Sequence, residues 1–373
     1  MVMVVDQLAP PDIIQSSSQL NQLVDELTSQ PRIAVDTESN SLHAYRERVC
    51  LIQFSTLEKD YLVDPLALDD LNILGPIFED PKIEKVFHAA EYDLICLRRD
   101  YGFKFSNLFD TMQAGRILGR KQAGLDSLLK EKFDIKVNKR FQKADWGARP
   151  LSPDLILYAR LDTHFLLPLR DLLKAELEEK GFWPLAQEDF RMACQANGAK
   201  PKTELPHWTH FSNHRDLTLR DLTVLNELLA FREQIAARLD RPPFKVLEED
   251  RLVEIAKTKP STISELEVEL TSRQVQNWGT LILEAVQRGM QSPLVKRLPR
   301  VRSDDSYVKR LDKLKKWRKK IAAETDVESD VILPKPLLMA LAERGPQNVD
   351  QVLECSPWRR EHFGAQIINV LGG

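Results

Sequence analysis

The sequence predicts an α/β domain with a mixed sheet flanked by helices, followed by two small all-α domains. Three observations carry this reading. Residues 1–200 alternate strand-like and helix-like stretches, the pattern of α/β architecture. The segment "CQANGAKPKTELPHW" has no periodicity and reads as a linker, and beyond it the apolar period is helical almost to the end. The helical part also repeats itself. "FREQIAARLDRPPFKVLEEDRLVEIAKTKPSTISEL" (Phe231–Leu266) matches "WRKKIAAETDVESDVILPKPLLMALAERGPQNVDQV" (Trp317–Val352) at a constant offset of 86 residues. Arg232 pairs with Arg318, Ile235 with Ile321, Asp240 with Asp326, Leu252 with Leu338 and Pro260 with Pro346. Two copies are too few for a solenoid. The expected division is 1–205, 215–292 and 303–373.

In chain order, strands are predicted over 32–38, 49–55, 60–63 and 85–88. The connections between the first three are too short for helices, so these strands form an antiparallel meander. A helix near 68–79 precedes the fourth. From Ser152 a long helix is expected, with Ser152 as N-cap, Pro153 at the first helical position and Asp154 where the dipole favours an anion. Pro168 should kink this helix and Gly181 should stop it.

Composition excludes several classes. The four cysteines, Cys50, Cys96, Cys194 and Cys355, form no C-x-x-C pair, which fits a reduced compartment and neither a zinc site nor a disulfide frame. Cys50 and Cys96 lie in apolar strings and read as small core residues. The N-terminus lacks the character of a secretion signal or transit peptide, and no apolar run reaches the roughly 18 residues of a membrane span. The expectation is a cytoplasmic protein with no membrane association. The net charge of −3 hides an uneven distribution. Residues 1–100 hold 8 Lys/Arg against 18 Asp/Glu, residues 101–150 hold 11 against 5, and residues 288–320 hold 13 against 3. Basic segments suit phosphate backbones. Around Arg297–Lys320, "KRLDKLKKWRKK" is either such a surface or a solvated helix face. Trp317 aligns with Phe231 in the other copy, which favours a core role for it.

Three motifs carry chemistry. In "RIAVDTESNSL", Asp36 and Glu38 stand at i and i+2 on a strand, so they share a face and would repel unless a cation lies between them. Carboxylate oxygens without His or Cys suit Mg²⁺ or Mn²⁺. In "KVFHAAEYDLICL", Asp93 falls near a strand-to-helix junction, where functional groups collect at the edge of α/β sheets. In "YARLDTHFLL", Tyr158 and Asp162 lie four apart on a helix and share its face. Each motif alone also has an ordinary structural reading.

Together, in this order, the three resemble the Exo I, Exo II and Exo III motifs of the DEDD 3′→5′ exonucleases. Tyr158-x-x-x-Asp162 matches the tyrosine subclass, since the histidine subclass would need His where Leu157 stands. "VCLIQFS", "FDTMQAGRILG", "GLDSLL" and "FQKADWGARPLSPDLILYARLD" are similar to ribonuclease D, and the duplicated unit resembles the helicase-and-RNase-D C-terminal (HRDC) domain. One departure is "SNSLHAY" after the D-x-E, where ribonuclease D often carries a larger aromatic.

The resemblance implies a ribonuclease H-like fold and hydrolysis of RNA from the 3′ end, yielding nucleoside 5′-monophosphates. It implies two divalent cations, Mg²⁺ or Mn²⁺, held by Asp36, Glu38, Asp93 and Asp162, with Tyr158 orienting the attacking water. Substrate-contact candidates are Gln53, His88, Lys139, Arg140, Gln142, Lys143, Trp146 and Arg149. Trp146 could instead be a core plug, and Arg149 an internal partner of Asp145. The expected partners are RNA 3′ ends of tRNA precursors or small structured RNAs. A 3′→5′ DNA exonuclease would use the same four carboxylates, and only the intervening motifs and the repeated unit favour RNA. A non-catalytic nucleic-acid scaffold is expected to have lost a ligand, whereas all four acids and the tyrosine stand.

Overall fold

A computed structural model describes residues 8–137, 139–195, 207–211, 216–297 and 304–372. Most of the linker read from the sequence lies outside them. The chain divides into two compact units, one of Met1–Ser39, Val49–Ala199 and Arg302–Gly373, the other of Asn40–Arg48 and Lys200–Val301.

In the first unit the elements run β1 (Asp12–Ile14), α1 (Ser17–Thr28), β2 (Arg32–Ser39), β3 (Val49–Ser55), β4 (Asp60–Val63), α2 (Gly75–Glu79), β5 (Glu84–Phe87), α3 (Glu91–Tyr101), β6 (Leu108–Asp110), α4 (Thr111–Ile117), α5 (Leu125–Phe133), α6 (Pro153–His164), α7 (Leu166–Glu179) and α8 (Trp183–Gln195). The sheet order is β1-β4-β3-β2-β5-β6. β2, β3 and β4 form the expected antiparallel meander, while β1 joins β4, and β5 and β6 extend the other side, in parallel. β1 and β6 have three residues each, too few to show a period in the sequence. α2 is shorter than expected because Pro76 has no N–H with which to continue the 3-10 turn Asn72–Leu74 as an α-helix.

The long helix after Ser152 is two helices. Ser152 caps α6 by accepting from Leu155 N (3.3 Å). The break falls at Phe165, since Pro168 lacks the donor that would reach the His164 carbonyl in a continuous helix. α7 ends just before Gly181, whose φ of 72° is the left-handed conformation open to glycine. Cys50 and Cys96 are buried. No helix among the described residues is long and apolar enough to cross a membrane.

The second unit contains α9 (Leu219–Leu239), α10 (Pro243–Val246), α11 (Glu249–Thr258), α12 (Ile263–Leu266) and α13 (Ser272–Gln291). The rest of the first unit contains α14 (Asp305–Thr325), α15 (Ser329–Ile332), α16 (Lys335–Arg344), α17 (Val349–Val352) and α18 (Pro357–Gly372). The two series repeat element for element. α9 and α14 both end on an Asp at positive φ, Asp240 at 45° and Asp326 at 50°. Arg232 donates to the Leu247 carbonyl (3.4 Å) and Arg318 to the Leu333 carbonyl (2.8 Å), so the 86-residue offset extends to hydrogen bonds. Phe231 and Trp317 are both buried, as their alignment implied.

A buried ion pair ties α18 to α8 within the first unit. Arg359 is fully buried and grips Asp189 with two hydrogen bonds (2.7 and 3.0 Å), while also donating to the Ile332 and Val331 carbonyls (3.1 and 2.8 Å). Removing one partner of a buried pair strands the other charge. Arg359→Ala should therefore lose about 3–5 kcal/mol in chemical denaturation. Arg359→Met combined with Asp189→Leu should recover much of that loss, and an equal loss in the double variant would show that the charge balance is not what matters.

Candidate active site

β2 lies inside the sheet with neighbours on both sides, and Asp36 and Glu38 leave it on the same face. α6 packs across that face and carries Tyr158 and Asp162. Oxygens of Asp36, Glu38 and Asp162 lie within 4.8 Å of one another, a group of three carboxylates converging from two elements. Asp93, in the first turn of α3, stands outside this tightest group but close enough for its charge to act on all three. Its Oδ1 accepts from the Thr37 backbone N–H (3.1 Å) and from the Thr37 hydroxyl. The residue between the two acids of the D-x-E thus orients the third.

Two buried aspartates place the supporting elements. Asp60, on β4, accepts from Arg160 Nε (2.6 Å), from His164 Nδ1 (2.9 Å) and from the Ser55 hydroxyl (2.7 Å). Ser55 and Thr163 hydroxyls are also 2.7 Å apart. These bonds set the register of α6 over β3 and β4. Asp110 accepts from Ala89 N (3.0 Å), Ala90 N (2.8 Å), Met112 N (2.9 Å) and Gln113 N (3.1 Å). It caps α4 and holds the turn into α3, where Ala89 has a φ of 62°. A non-glycine residue in that region persists only when its surroundings hold it there.

The electrostatics follow from crowding acids under a helix. Burial, then the charges of Asp93, Asp162 and Glu38, pushes the Asp36 carboxyl well above the usual range. Burial, then Asp162 and Asp93, does the same to Glu38. Burial lifts Asp93 to about 7 against the lowering hydrogen bonds from Thr37. Burial and the charge of Asp93 lift Asp162 to about 8, opposed by the Tyr158 hydroxyl hydrogen-bonded to it. Burial and the same acids raise the Tyr158 phenol above its ordinary value, so Tyr158 is neutral at physiological pH. Its ring packs near those of Phe141 and Trp146, with centroids 5.8 and 6.0 Å away. The donor set fits divalent cations: all-oxygen and anionic, with no nitrogen or sulfur to favour a softer metal.

The expected substrate contacts fare differently. Gln142 is exposed and hydrogen-bonds the Tyr158 hydroxyl, which places it at the site. Lys143 is exposed. Arg140 is exposed, pairs with Asp154 (2.8 Å) and lies over the Phe141 ring (4.4 Å). The Lys139 side chain lies outside the described part. His88 Nδ1 meets the Thr111 hydroxyl (2.8 Å), and burial lowers its pKa, leaving a neutral imidazole. Three expectations are corrected. Trp146 is 1% exposed in a cluster with Leu51, Leu62, Tyr158 and Ala159, so it plugs the core and offers no stacking face. Gln53 is 0% exposed and out of reach of a substrate. Arg149 uses all five N–H donors inside the protein. Two go to Asp64 (2.8 and 2.7 Å) and one each to the carbonyls of Cys50, Trp146 and Ala148 (2.7, 2.8 and 2.8 Å). None remains for a phosphate, and its carboxylate partner is Asp64 rather than Asp145. Sequence reasoning missed Thr37, Asp60 and Asp110. Only Asp110 left a signal, as an Asp between a short apolar strand and a helix, the position of an N-cap.

Comparison with known proteins finds matches to both the α/β part and the repeated helical part of the chain. The family described as "3′-5′ exonuclease" matches residues 11–178, and the HRDC domain family matches 221–286 and 308–371. Protein RRP6-like 3 of Arabidopsis thaliana is 33% identical over 277 residues, covering 68% of this chain and 31% of that protein. The chain spans less than half the length of such curated relatives. The crystal structure of the catalytic core of RRP6 from Trypanosoma brucei superposes with a TM-score of 0.66 at 28% identity, covering 77% of this chain and 81% of that one. Escherichia coli RNase D shares the fold, with a TM-score of 0.71 at 24% identity over 98% and 99% of the two chains.

The raised carboxyls fix a sign. The folded state holds protons on Asp93 and Asp162 up to about pH 7 and 8, whereas their ordinary value is 3.8. The native state therefore binds more protons than the unfolded chain in that window, and stability falls as pH rises through it. The melting temperature of metal-free protein should drop between pH 5 and pH 8.5 (roughly the span of those values). Mg²⁺ or Mn²⁺ should restore more of it at the higher pH. An equal metal-induced shift at both pH values would remove these acids from the account.

Proposed function

This chain joins a 3′-5′ exonuclease domain to two HRDC domains and is homologous to the Rrp6 exoribonucleases, and on that premise we propose that it hydrolyses RNA from the 3′ end, releasing nucleoside 5′-monophosphates. The observation that carries the reading is the convergence of Asp36, Glu38 and Asp162 within 4.8 Å, with Asp93 beside them. The residues that would hold two divalent cations, Mg²⁺ or Mn²⁺, are these four acids. Bound there, such ions supply activation of water near neutral pH and neutralise charge developing on the leaving 3′ oxygen.

The chain's own side chains do the rest. Asp36 and Glu38 present two charges from one rigid strand, and Asp162 closes the group from α6. Thr37 turns one Asp93 oxygen away, leaving the other for the site. Tyr158 acts as a neutral hydroxyl that orients the attacking water, since its raised pKa makes it a poor base. Gln142, exposed and hydrogen-bonded to Tyr158, the exposed Lys143 next to it in sequence, and His88 just before α3 are the candidates for holding the terminal nucleotide. We assign residues 1–205 to the exonuclease domain and 215–292 and 303–373 to the HRDC domains; the family matches at 11–178, 221–286 and 308–371 support that division. The proposed substrates are 3′ ends of tRNA precursors or small structured RNAs, and the proposed setting is the cytoplasm, supported by cysteines spaced for neither disulfide nor zinc.

The basic surface belongs to the second HRDC copy. Lys309, Lys313, Lys316 and Lys320 recur at i, i+4, i+7 and i+11 on α14, and all are exposed. Two have acidic neighbours, Asp312 at 2.8 Å from Lys316 and Glu324 at 3.8 Å from Lys320. The equivalent positions of α9 are Thr223, Glu227, Ala230 and Gln234.

With 5′-labelled RNA, stepwise shortening and nucleoside 5′-monophosphate release are expected only with divalent cation, and chelator should stop both. Asp36→Ala and Asp162→Ala should abolish cleavage, while Tyr158→Phe should lose roughly 10²-fold and keep a remnant. Full activity of Asp36→Ala, or equal cleavage of matched DNA, would overturn the assignment or its RNA preference respectively. Replacing the four α14 lysines by Gln should weaken RNA binding and flatten log K against log salt by about 0.7 for each RNA phosphate no longer neutralised. An unchanged slope would assign these lysines to solubility.

A further inference from the structure

Gln53 is fully buried on β3, yet neither its Nε2 nor its Oε1 meets a hydrogen-bonding partner in the protein. Buried polar groups in folded proteins are nearly always satisfied, because an amide cut off from water without a partner destabilises the fold. An apolar residue of similar shape would suit a purely structural position better. Its place in the sheet tells what the amide is for. Gln53 stands directly opposite Asp36 in the antiparallel β2–β3 pair and opposite Leu62 in the β3–β4 pair. Directly opposed residues leave the sheet on the same face, with Cβ atoms about 5 Å apart. Its neighbours on that face are Leu51, which shares an apolar cluster with Tyr158 and Ala159 of α6, and Ser55, bonded to Thr163 of the same helix. Gln53 thus lies beneath α6, in the layer under the acid cluster. Of its cross-strand neighbours, Leu62 offers an amide nothing and Asp36 offers a carboxylate.

We infer that Gln53 is a positioning residue for the metal site, donating Nε2–H to the Asp36 carboxylate when a divalent cation is bound. This rests on the metal reading proposed above. A ligand carboxylate that gives one oxygen to a cation has a second oxygen to satisfy, and groups that orient it from behind strengthen metal binding. A neutral amide suits the place. It adds a donor without adding to the repulsion among four acids, and it does not compete with the cation as a buried lysine or arginine would. Gln53 touches neither substrate nor cation; it acts through Asp36.

The test separates this role from packing. Gln53→Met keeps the length and volume of the side chain and deletes both polar atoms. Its Mn²⁺ affinity, read from the free-ion signal in electron paramagnetic resonance, should weaken about 10- to 100-fold. The melting temperature of the metal-free variant should stay level or rise, since an unsatisfied amide has been removed. Mn²⁺ affinity within about twofold of the parent would overturn the proposal, because orienting groups behind a ligand normally contribute tenfold or more. In the parent protein with ¹⁵N-labelled glutamine, Mg²⁺ should shift the Gln53 side-chain NH₂ resonance. An unmoved resonance at saturating Mg²⁺ would equally overturn the proposal, even should the variant not fold. Parent protein that binds no Mn²⁺ would overturn the metal reading itself, a result distinct from tight binding that is indifferent to Gln53.

Discussion

Four carboxylates crowded under a helix are the constraint around which this fold is arranged. Left alone they repel, and burial penalises each charge further, so Asp36, Glu38, Asp93 and Asp162 all hold protons far more tightly than a surface acid. A chain free to relax would separate them. What prevents this is covalent and local: two acids stand on one strand interior to the sheet, a third rides a helix clamped to that sheet, and a fourth sits at a helix start held by a strained turn. The energy that the cluster costs has to come from its surroundings.

Those surroundings are also built from buried charges, but satisfied ones. Asp60 receives three donors, Asp110 four backbone N–H groups, and Asp64 two bonds from Arg149. Asp189 is matched by Arg359. Each such group would be costly with a partner missing and is nearly neutral with all of them present. The contrast locates the site. Acids matched by cations or several donors fix architecture, whereas acids crowded against one another with no cationic partner, together with the unpartnered amide of Gln53, mark the place where something else is to be bound.

The duplicated helical unit shows the same separation of roles between copies. Shared positions are those of the core and the turns: Phe231 and Trp317, the Arg232 and Arg318 bonds to equivalent carbonyls, and the left-handed Asp240 and Asp326. Other positions diverge. One copy carries lysines along α14 and ties α18 to α8 through Arg359, while α9 of the other bears Thr, Glu, Ala and Gln at the matching places. Packing constrains the first set in both copies, and nothing obliges the second to agree.

The pairing of Asp36 with Glu38 and of Tyr158 with Asp162 was legible in the sequence because it is local. A two-residue spacing on a strand and a four-residue spacing on a helix dictate shared faces whatever surrounds them, and the meander followed from connections too short to hold a helix. The helical repeat was legible for the same reason, as a period that runs along the chain. Tertiary structure alone decided the fate of Gln53, Trp146 and Arg149. All three looked able to touch RNA, but Gln53 and Trp146 are buried in the completed fold and Arg149 spends its donors on Asp64 and nearby carbonyls. Burial depends on what packs on top, and a partner such as Asp64, 85 residues away from Arg149, is brought near only by the completed fold.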